Sequence, residues 1–371
     1  MPYWTQQNLD LKCFPVVPEH VSLPWDAADD YLLQHINSDQ TTLLFNDRHG
    51  ALACALPSAF GWLESACSQL ATTTNLAANQ LASEVGWVDG EEALRQVAGD
   101  VQQVAIKIPK NLEQLTWWLD ICAELLPHAR IWLAGMSKHI PVRWLNWLES
   151  EYAEYQQLPQ QRKARLICVH SRKSVKRKAI WQGYDLEQQR YEALPGVFCR
   201  DSLDPGARFM IETLAGHEQL ADIHGQVCDL GCGNGVLGLW LKSRLPEIQL
   251  IQTDDSLAAV RSARHNATQL GLAADVCHGN SLAAVTENLD WVICNPPFHD
   301  GHKQLDNIAK SMFRDSHQQL TQNGRLLIVA NRHLNYRAEL ARLFRQVELV
   351  ASNNKFNVWL CAKQPASGAK S

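Results

Sequence analysis

The 371-residue sequence lacks several features that would narrow its class at once. No apolar segment approaches the roughly 20 residues needed to cross a bilayer. The N-terminal segment MPYWTQQNLDLKCFP has neither the basic start nor the apolar run of a secretory signal. The number of cysteines, 11, is odd, and no two of them have CxxC spacing. We therefore expect a reduced, cytoplasmic protein without a membrane segment.

The sequence also has no excess of positive charge. Its formal net charge is −5, with 20% charged and 46% hydrophobic residues. This composition is typical of a globular protein and excludes a disordered or fibrous chain. Binding to nucleic acid would therefore depend on local basic clusters rather than on overall charge. Because the chain is too long for one ordinary core, we expect two domains.

Both halves of the chain alternate short apolar strands with helical segments. In the C-terminal half, QVCDLGCGNGVLGLWL predicts a strand, a glycine-rich turn and a helix, and DWVICNPPF and GRLLIVANRHL predict two further strands. In the N-terminal half, TTLLFNDRHGALACAL predicts the same order of strand, turn and helix. Such alternation predicts an α/β fold whose sheets are mainly parallel and covered on both faces by helices.

The two halves align loosely, as expected for an internal duplication. When Gly50 is matched with Gly235, the other glycines of the later turn have no counterpart in the first half. When Pro109 is matched with Pro297, Lys107 stands where the second half has Asn295. We interpret the first copy as one that kept the fold and lost ligand binding, so we expect no second cofactor site. Chance similarity between two α/β halves is the alternative.

A glycine-rich turn, GCGNG, follows the predicted strand that ends near Asp229. Glycines let the backbone bend tightly and approach a ligand, and a helix N-terminus lies just beyond. Asp254 closes the next strand about 20 residues on, where an acid can accept hydrogen bonds from ribose hydroxyls. Asn280 follows a third strand, where it could contact an adenine edge. The candidate cofactor-binding residues are Asp229, Gly231, Cys232, Gly233, Asn234, Gly235, Asp254 and Asn280.

The segment NPPF follows another buried strand. Its two prolines supply no backbone donors and hold the chain extended. The side-chain oxygen of Asn295 and the carbonyl of Pro296 could accept hydrogen bonds from an NH2 group on a planar base and turn its nitrogen toward tetrahedral geometry. Phe298 would stack on the base, a contact worth ~1–3 kcal/mol. The candidate catalytic residues are Asn295, Pro296, Pro297 and Phe298.

This ordered set of motifs resembles class I S-adenosylmethionine (SAM) methyltransferases. More narrowly, LPGVFCRDSLDPGARFM, DLGCGNG, NPPFHDG and IVANRHLNY together resemble the bacterial ribosomal-RNA guanine-N2 methyltransferases. The resemblance implies two tandem Rossmann-like class I methyltransferase domains, of which only the C-terminal one is active, with SAM as cofactor and no metal. WDAADDYLLQ, NRHLNY and NNKFNV resemble the members that act on the large subunit, so we expect protein-free 23S rRNA as substrate and a monomeric enzyme.

Several other functions remain open at this stage. The same chemistry could act on a guanine of 16S rRNA, on adenine N6 or on a protein glutamine amide. A non-catalytic RNA-binding factor is another alternative. The glycines also satisfy G-x-G-x-x-G, which would suit a nicotinamide-dependent dehydrogenase, although NPPF disfavours that class. The HDGH segment that comes after NPPF is weak evidence for a zinc site.

We expect three parts in the chain. These are a degenerate methyltransferase-like domain over 1–172 that binds and orients RNA, a basic linker over 173–190 and a catalytic domain over 191–371. The run of lysines and arginines from 162 to 178 contains no acid, so it is the best candidate for phosphate contacts, with a solvated linker as the alternative. The candidate RNA-binding residues are Phe198, Arg200, Lys173, Lys176, Arg177, Lys178 and Arg332.

Overall fold

The computed structural model describes residues 2–15, 22–81, 85–174, 179–216, 222–297 and 303–363. The chain divides into two compact units, Met1–Ile180 and Trp181–Ser371. Within the described residues, no helix combines the length and apolarity that a membrane span requires.

The first unit contains nine strands and six α-helices among its described residues. In chain order these are β1 (Tyr3–Trp4), β2 (Leu9–Asp10), α1 (Ala27–Leu33), β3 (Thr42–Phe45), α2 (Ala51–Ala55), β4 (Ala59–Trp62), α3 (Ala66–Ala78), β5 (Gly86–Val88), α4 (Glu91–Val97), β6 (Gln103–Lys107), α5 (Leu112–Leu125), β7 (Arg130–Met136), α6 (Val142–Glu151), β8 (Tyr152–Gln157) and β9 (Ala164–Arg172).

The second unit repeats this plan. Its described elements are β10 (Gln182–Leu186), β11 (Gln189–Ala193), α7 (Pro205–Ala215), β12 (Gln226–Leu230), α8 (Val236–Arg244), β13 (Gln249–Asp254), α9 (Leu257–Leu270), β14 (Asp275–His278), β15 (Leu289–Cys294), α10 (Lys303–Gln319), β16 (Leu320–Asn331), α11 (Tyr336–Leu343), β17 (Gln346–Ser352) and β18 (Phe356–Ala362).

The two large sheets have the same strand order. The first runs β5-β4-β3-β6-β7-β9-β8 and the second β14-β13-β12-β15-β16-β18-β17, and each unit begins with a separate two-stranded hairpin. In both sheets the first five strands of the order are parallel, and the last two are antiparallel to their neighbours. The predicted pair of tandem α/β domains is confirmed, and the shared order supports an internal duplication.

Helices cover both faces of the second sheet. On one face Met210 and Ile211 of α7 pack with Trp240 of α8 and the strand residues Ile293 and Val329. On the other face α10 and α11 pack against the alternate residues of the same strands. Because successive residues of a strand point to opposite faces, strands buried on both sides read as continuous apolar runs in the sequence.

A buried asparagine joins the hairpin to the glycine turn in the second unit. Asn266 of α9 accepts a hydrogen bond from the Glu192 N–H (2.9 Å) and donates to the carbonyls of Glu192 and Asn234 (both 2.8 Å). Its side chain is completely buried. Asn266 therefore satisfies three backbone groups that burial would otherwise leave unpaired.

The first unit has the same arrangement at Asn75 of α3. This side chain accepts a hydrogen bond from the Lys12 N–H (2.9 Å) and donates to the carbonyls of Lys12 (3.0 Å) and His49 (2.9 Å). His49 precedes Gly50 as Asn234 precedes Gly235, and both glycines adopt the left-handed conformation at the start of a helix. The match of Gly50 with Gly235 therefore holds in three dimensions.

The structure differs from the expected linker over 173–190. Residues 182–193 form the antiparallel hairpin β10–β11, which belongs to the second unit. Tyr191 is fully buried in the core of that unit, and its ring lies 6.2 Å from that of Tyr184. The hairpin buries aromatic side chains on one face only, so its sequence is polar overall and gives little sign of a strand.

We expect replacement of Asn266 by alanine to lower the free energy of unfolding by about 2 kcal/mol or more, because three buried backbone groups lose their partner. Urea unfolding followed by circular dichroism would measure this. Thr268→Ala, at an exposed position of the same helix, is the matched control and should change stability by less than about 0.5 kcal/mol. Equal unfolding midpoints for the two variants would contradict the assigned role of Asn266.

Candidate active site

The glycine turn lies at the carboxyl end of β12, next to the point where the strand order reverses. Gly231, Gly233 and Gly235 all have positive φ angles, of 74°, 57° and 85°. The Gly235 N–H donates to the Cys232 carbonyl (2.8 Å), which closes the turn. Among the described residues, no atom outside Gly233 and its two neighbours lies within 4 Å of the position that a Cβ on Gly233 would occupy. The turn therefore presents backbone to open space, as a cofactor-binding turn requires.

Two acids hold the turn in place. Asp229 is 1% exposed, and its Oδ2 accepts hydrogen bonds from the Gly238 N–H (2.9 Å) and Gln252 Nε2 (3.0 Å). Burial raises the pKa of Asp229 to about 6. Asp254 accepts a hydrogen bond from the Gly233 N–H (2.9 Å), and burial raises its pKa as well. Asp229 supports the turn from inside the protein, whereas Asp254 stands at its open edge.

Of the other predicted cofactor residues, Cys232 and Asn234 belong to the turn itself. Cys232 is buried and packs with Val260 and Ala263, as expected for a small packing residue. Asn234 is buried, and its Nδ2 donates to the Tyr184 hydroxyl at 3.3 Å. Asn280 follows β14 and is exposed. Direct contact of these side chains with a cofactor stays a prediction.

Asn295 follows β15, the strand adjacent to β12. Its Nδ2 donates to Asp204 Oδ2 at 2.9 Å. Because a carboxylate accepts hydrogen bonds and cannot donate them, the atom that faces Asp204 must be Nδ2, and Oδ1 is at the opposite end of the amide. The opposite end, Oδ1, is buried and has no hydrogen-bond partner among the described residues. Buried polar atoms are nearly always paired, so this oxygen is an acceptor available to a ligand.

Asp204 is a further candidate site residue, which the sequence motifs do not single out. It is the N-cap of α7, where its Oδ2 also accepts from the Ala207 N–H (2.8 Å). Asp followed by Pro is a recognisable helix start. No local sequence pattern indicates that the same carboxylate also accepts a hydrogen bond from an amide 91 residues away. Gly206 allows this close approach, since a Cβ there would lie 2.9 Å from Asp204 Oδ2 and 3.1 Å from Asn295 Oδ1.

A second unpaired amide oxygen lies at the end of the neighbouring strand. Oδ1 of Asn331 is buried and has no partner among the described residues. Asn331 ends β16, which is parallel to β15. Because Asn331 is two positions after Val329, it faces the same side of the sheet as α7. Two acceptors, on Asn295 and Asn331, therefore end adjacent strands on one face.

The rest of NPPF is described only in part. Pro296 is buried and Pro297 is exposed. Phe298 and the HDGH segment up to residue 302 lie outside the described residues, so stacking by Phe298 stays a prediction.

The described candidate RNA-binding residues have different surroundings. Phe198 is 61% exposed. Arg200 Nε donates to the Ala193 carbonyl (3.1 Å), Lys173 Nζ to the Ser150 carbonyl (2.9 Å) and Arg332 Nη1 to the Asn353 carbonyl (3.1 Å). Lys176, Arg177 and Lys178 lie outside the described residues.

Two members of the basic run serve the fold of the first unit. Arg162 forms an ion pair with Asp30 (2.6 Å). Arg172 is buried against Asp120 and Glu151. The expectation that the whole run faces phosphates is therefore wrong for these two residues, because acids distant in the sequence neutralise them.

In the first unit, the counterpart of Asn295 is occupied by an ion-paired lysine. Lys107 Nζ lies 2.8 Å from Asp26 and 2.7 Å from Asp29. Asp26 is the N-cap of α1, as Asp204 is of α7. Burial lowers the pKa of Lys107, but its attraction to the two acids outweighs this, and the pKa lies above its usual value. The ammonium group of Lys107 has no acceptor atom, so this side chain cannot take the place of Asn295 Oδ1.

Comparison with known proteins agrees with this geometry. Residues 189–360 match the Methyltransferase small domain, and residues 2–174 match the RLMG N-terminal domain. Ribosomal RNA large subunit methyltransferase G of Ectopseudomonas mendocina (strain ymp) is 38% identical, over 98% of this chain and 100% of that protein. The protein of the same name from Erwinia tasmaniensis is 36% identical, over 97% of this chain and 98% of its own length.

The chain belongs to the ribosomal RNA large subunit methyltransferase G family. It is a SAM-dependent methyltransferase with two tandem class I methyltransferase domains, the first of them degenerate. A solved structure of the T. Thermophilus 16S rRNA N2 methyltransferase RsmC, in complex with AdoMet and guanosine, shares this fold. Its TM-score is 0.74 at 21% identity, over 91% of this chain and 92% of that one.

The site of this family member fits SAM. The open space beside Gly233 and the acid Asp254 at the end of the next strand are the features that a bound nucleoside needs. When bound, SAM supplies an electrophilic methyl group. Within the described residues, no cluster of three His, Cys, Asp or Glu side chains could hold a metal ion.

We expect Asp204→Asn to lower methyl transfer by about tenfold or more, or about 1.4 kcal/mol. Asparagine is as good an N-cap as aspartate, so stability should change little. Its amide, however, can donate as well as accept, so the Asn295 amide is no longer forced to turn Nδ2 toward the cap and Oδ1 away from it. Turnover with labelled SAM, together with thermal unfolding, would separate the two effects. Asp204→Ala is the comparison, and should cost about 1 kcal/mol of stability as well. Full activity of Asp204→Asn would contradict the role of Asp204 in orienting Asn295.

Proposed function

We propose that this protein transfers the methyl group of SAM to the exocyclic N2 of a guanine in large-subunit ribosomal RNA. The observation that carries the proposal is the Oδ1 atom of Asn295, a buried acceptor without a partner among the described residues. It lies at the carboxyl edge of the sheet, on the strand next to the glycine turn. The names of the relatives support ribosomal RNA as the substrate class.

The chemical problem is the weak nucleophilicity of an exocyclic amine, whose lone pair is conjugated into the ring. Asn295 Oδ1 and the Pro296 carbonyl would each accept one N–H of the base and turn the nitrogen toward tetrahedral geometry. Asp204 keeps the Asn295 amide from rotating, so the acceptor is positioned before the base arrives. Such preorganised groups act at the reacting nitrogen without having to reorient. The alkylated nitrogen then loses its proton to solvent, and no strong protein base is needed.

The second acceptor favours guanine over adenine. The Watson–Crick edge of guanine carries two adjacent donors, N1–H and the N2 amine, whereas N1 of adenine is an acceptor. We propose that Asn295 Oδ1 accepts from the N2 amine and that Asn331 Oδ1 accepts from N1–H. A base flipped into a pocket is read by hydrogen bonds to this edge. With adenine, the acceptor N1 would face the Asn331 oxygen, which is also an acceptor, so no hydrogen bond could form there.

The first unit, with no free acceptor at Lys107, would serve RNA rather than catalysis. We propose that the N-terminal domain binds and orients RNA, with Lys173 and the lysines and arginine at 176–178 contacting phosphates. Phe198, Arg200 and Arg332 would contact RNA on the catalytic domain. We further propose that the substrate is protein-free RNA and that the enzyme is a monomer.

The direct test is methyl transfer from labelled SAM to protein-free, unmodified large-subunit RNA, with small-subunit RNA as a parallel substrate. The RNA is then digested to nucleosides. N2-methylguanosine from the large-subunit RNA alone is the expected result. Label in N6-methyladenosine, or transfer to the small-subunit RNA alone, would overturn the proposed base or target.

Asn295→Ala should lower turnover by about 100-fold or more, because the transition state loses a preorganised acceptor. The affinity for SAM, measured by calorimetry, should stay close to that of the wild type, since Asn295 lies outside the glycine turn. Asn323→Ala is the matched control, an exposed position near the opposite end of β16. An Asn295→Ala variant as active as this control would refute the mechanism.

A further inference from the structure

A shallow groove lies in the second unit between the first turns of α7 and the turn that joins β17 to β18. Its cavity has a volume of about 410 Å³. The helix contributes Pro205, Arg208 and Phe209, and the turn contributes Asn353, Lys355 and Phe356. The volume falls within the range of sites that hold a small ligand, roughly 300–1,000 Å³.

The groove adjoins the candidate active site at Gly206. A Cβ on Gly206 would lie 3.1 Å from Asn295 Oδ1 and 3.5 Å from Cε1 of Phe356. Gly206 is therefore the narrow partition between the amide oxygen of the active site and the aromatic floor of the groove. A nucleotide next to a base bound at Asn295 would therefore lie against this groove.

The groove combines aromatic rings with positive charge. The rings of Phe209 and Phe356 are stacked, with their centroids 6.4 Å apart. Lys355 Nζ lies 5.3 Å from the centre of the Phe356 ring. Arg208 and Lys355 are exposed, and neither forms an ion pair with another described residue. Glu212, one helical turn beyond Arg208, is the acid among the lining residues.

The turn is held rigidly before any ligand binds. Asn353 Oδ1 accepts hydrogen bonds from the N–H groups of Lys355 (2.8 Å) and Phe356 (2.7 Å). From the adjacent strand end, Arg332 donates its N–H to the Lys355 carbonyl (2.9 Å) and its Nη1 to the Asn353 carbonyl (3.1 Å). Arg332 thus holds the backbone of the groove wall in place. This residue, predicted to bind RNA, could therefore contribute by positioning Lys355.

We propose that this groove binds the nucleotide next to the target guanine, with its two flanking phosphates against Arg208 and Lys355 and its base against the ring of Phe209. This inference rests on the proposed function. A ring surface accepts any base, while two unpaired cations suit the phosphates on either side of it. The groove thereby adds affinity for a polynucleotide that a free guanosine could not use.

The test uses the full-length Arg208→Ala/Lys355→Ala double variant and a fluorescent single-stranded RNA that contains the target. The KM for RNA should rise about tenfold or more, while the affinity for SAM remains that of the wild type. The slope of log affinity against log salt should fall by about 1.4, since each single-strand phosphate contact contributes about 0.7. Phe209→Leu should raise KM without changing this slope, because it removes the ring but no charge.

Arg314→Ala is the matched control, because it removes an exposed cation on α10, which packs on the other face of the sheet. Double-variant values equal to this control, in both KM and salt slope, would overturn the groove proposal and leave the proposed function intact. RNA binding measured by fluorescence anisotropy does not depend on turnover. The wild type could bind RNA more tightly than the double variant and yet form no N2-methylguanosine. That result would support RNA binding in the groove and reject the proposed function.

Discussion

The glycine turn depends on one buried asparagine amide. The carbonyl just before the left-handed Gly235 belongs to Asn234, which is buried in the protein. Asn266 supplies the donor for this carbonyl and, with its other bonds, ties the N-terminal hairpin of the unit to the same turn. The open backbone beside Gly233 and its bond to Asp254 depend on the turn being fixed in this way. Asn75 repeats the arrangement in the degenerate unit, so the constraint belongs to the fold and outlasts the cofactor site.

The two units differ in the side chain at the end of the central strand. In each, the N-cap aspartate of a helix accepts a hydrogen bond from that side chain. An asparagine has two ends, so Asn295 can satisfy Asp204 and still offer Oδ1 to a ligand. A lysine has only donors, so Lys107 needs a second acid, Asp29, and its buried charge is stable because both partners are present. At an otherwise retained contact, the first unit therefore has a side chain that can only donate, where the second unit has an amide with an acceptor oxygen.

The fold could be predicted from the sequence because each of its elements has a local sequence pattern. Apolar strands buried on both faces, helix periods and a glycine turn recur in one order, and that order predicts a parallel sheet with its ligand site at the carboxyl ends. The contact of Asp204 with Asn295 was not predictable, because its local signal is only that of a helix cap. The partner of Arg172 has no local signal either, since Asp120 neutralises this arginine from a helix distant in the sequence. The hairpin that buries Tyr191 has a weak strand signal, because only one of its faces is apolar.

In the proposed mechanism, the first turns of α7 would serve both catalysis and recognition. The cap carboxylate of Asp204 accepts a hydrogen bond from the Asn295 amide, Gly206 lies between that amide and Phe356, and Arg208 and Phe209 form one wall of the groove. A nucleotide bound in the groove would therefore contact the same short segment that positions Asn295. Binding energy from a neighbour of the reacting base can then be used to place the reacting nitrogen, and not only to hold the RNA. The enzyme would thus select a guanine by its place in a polynucleotide, because the isolated base engages only half of the segment.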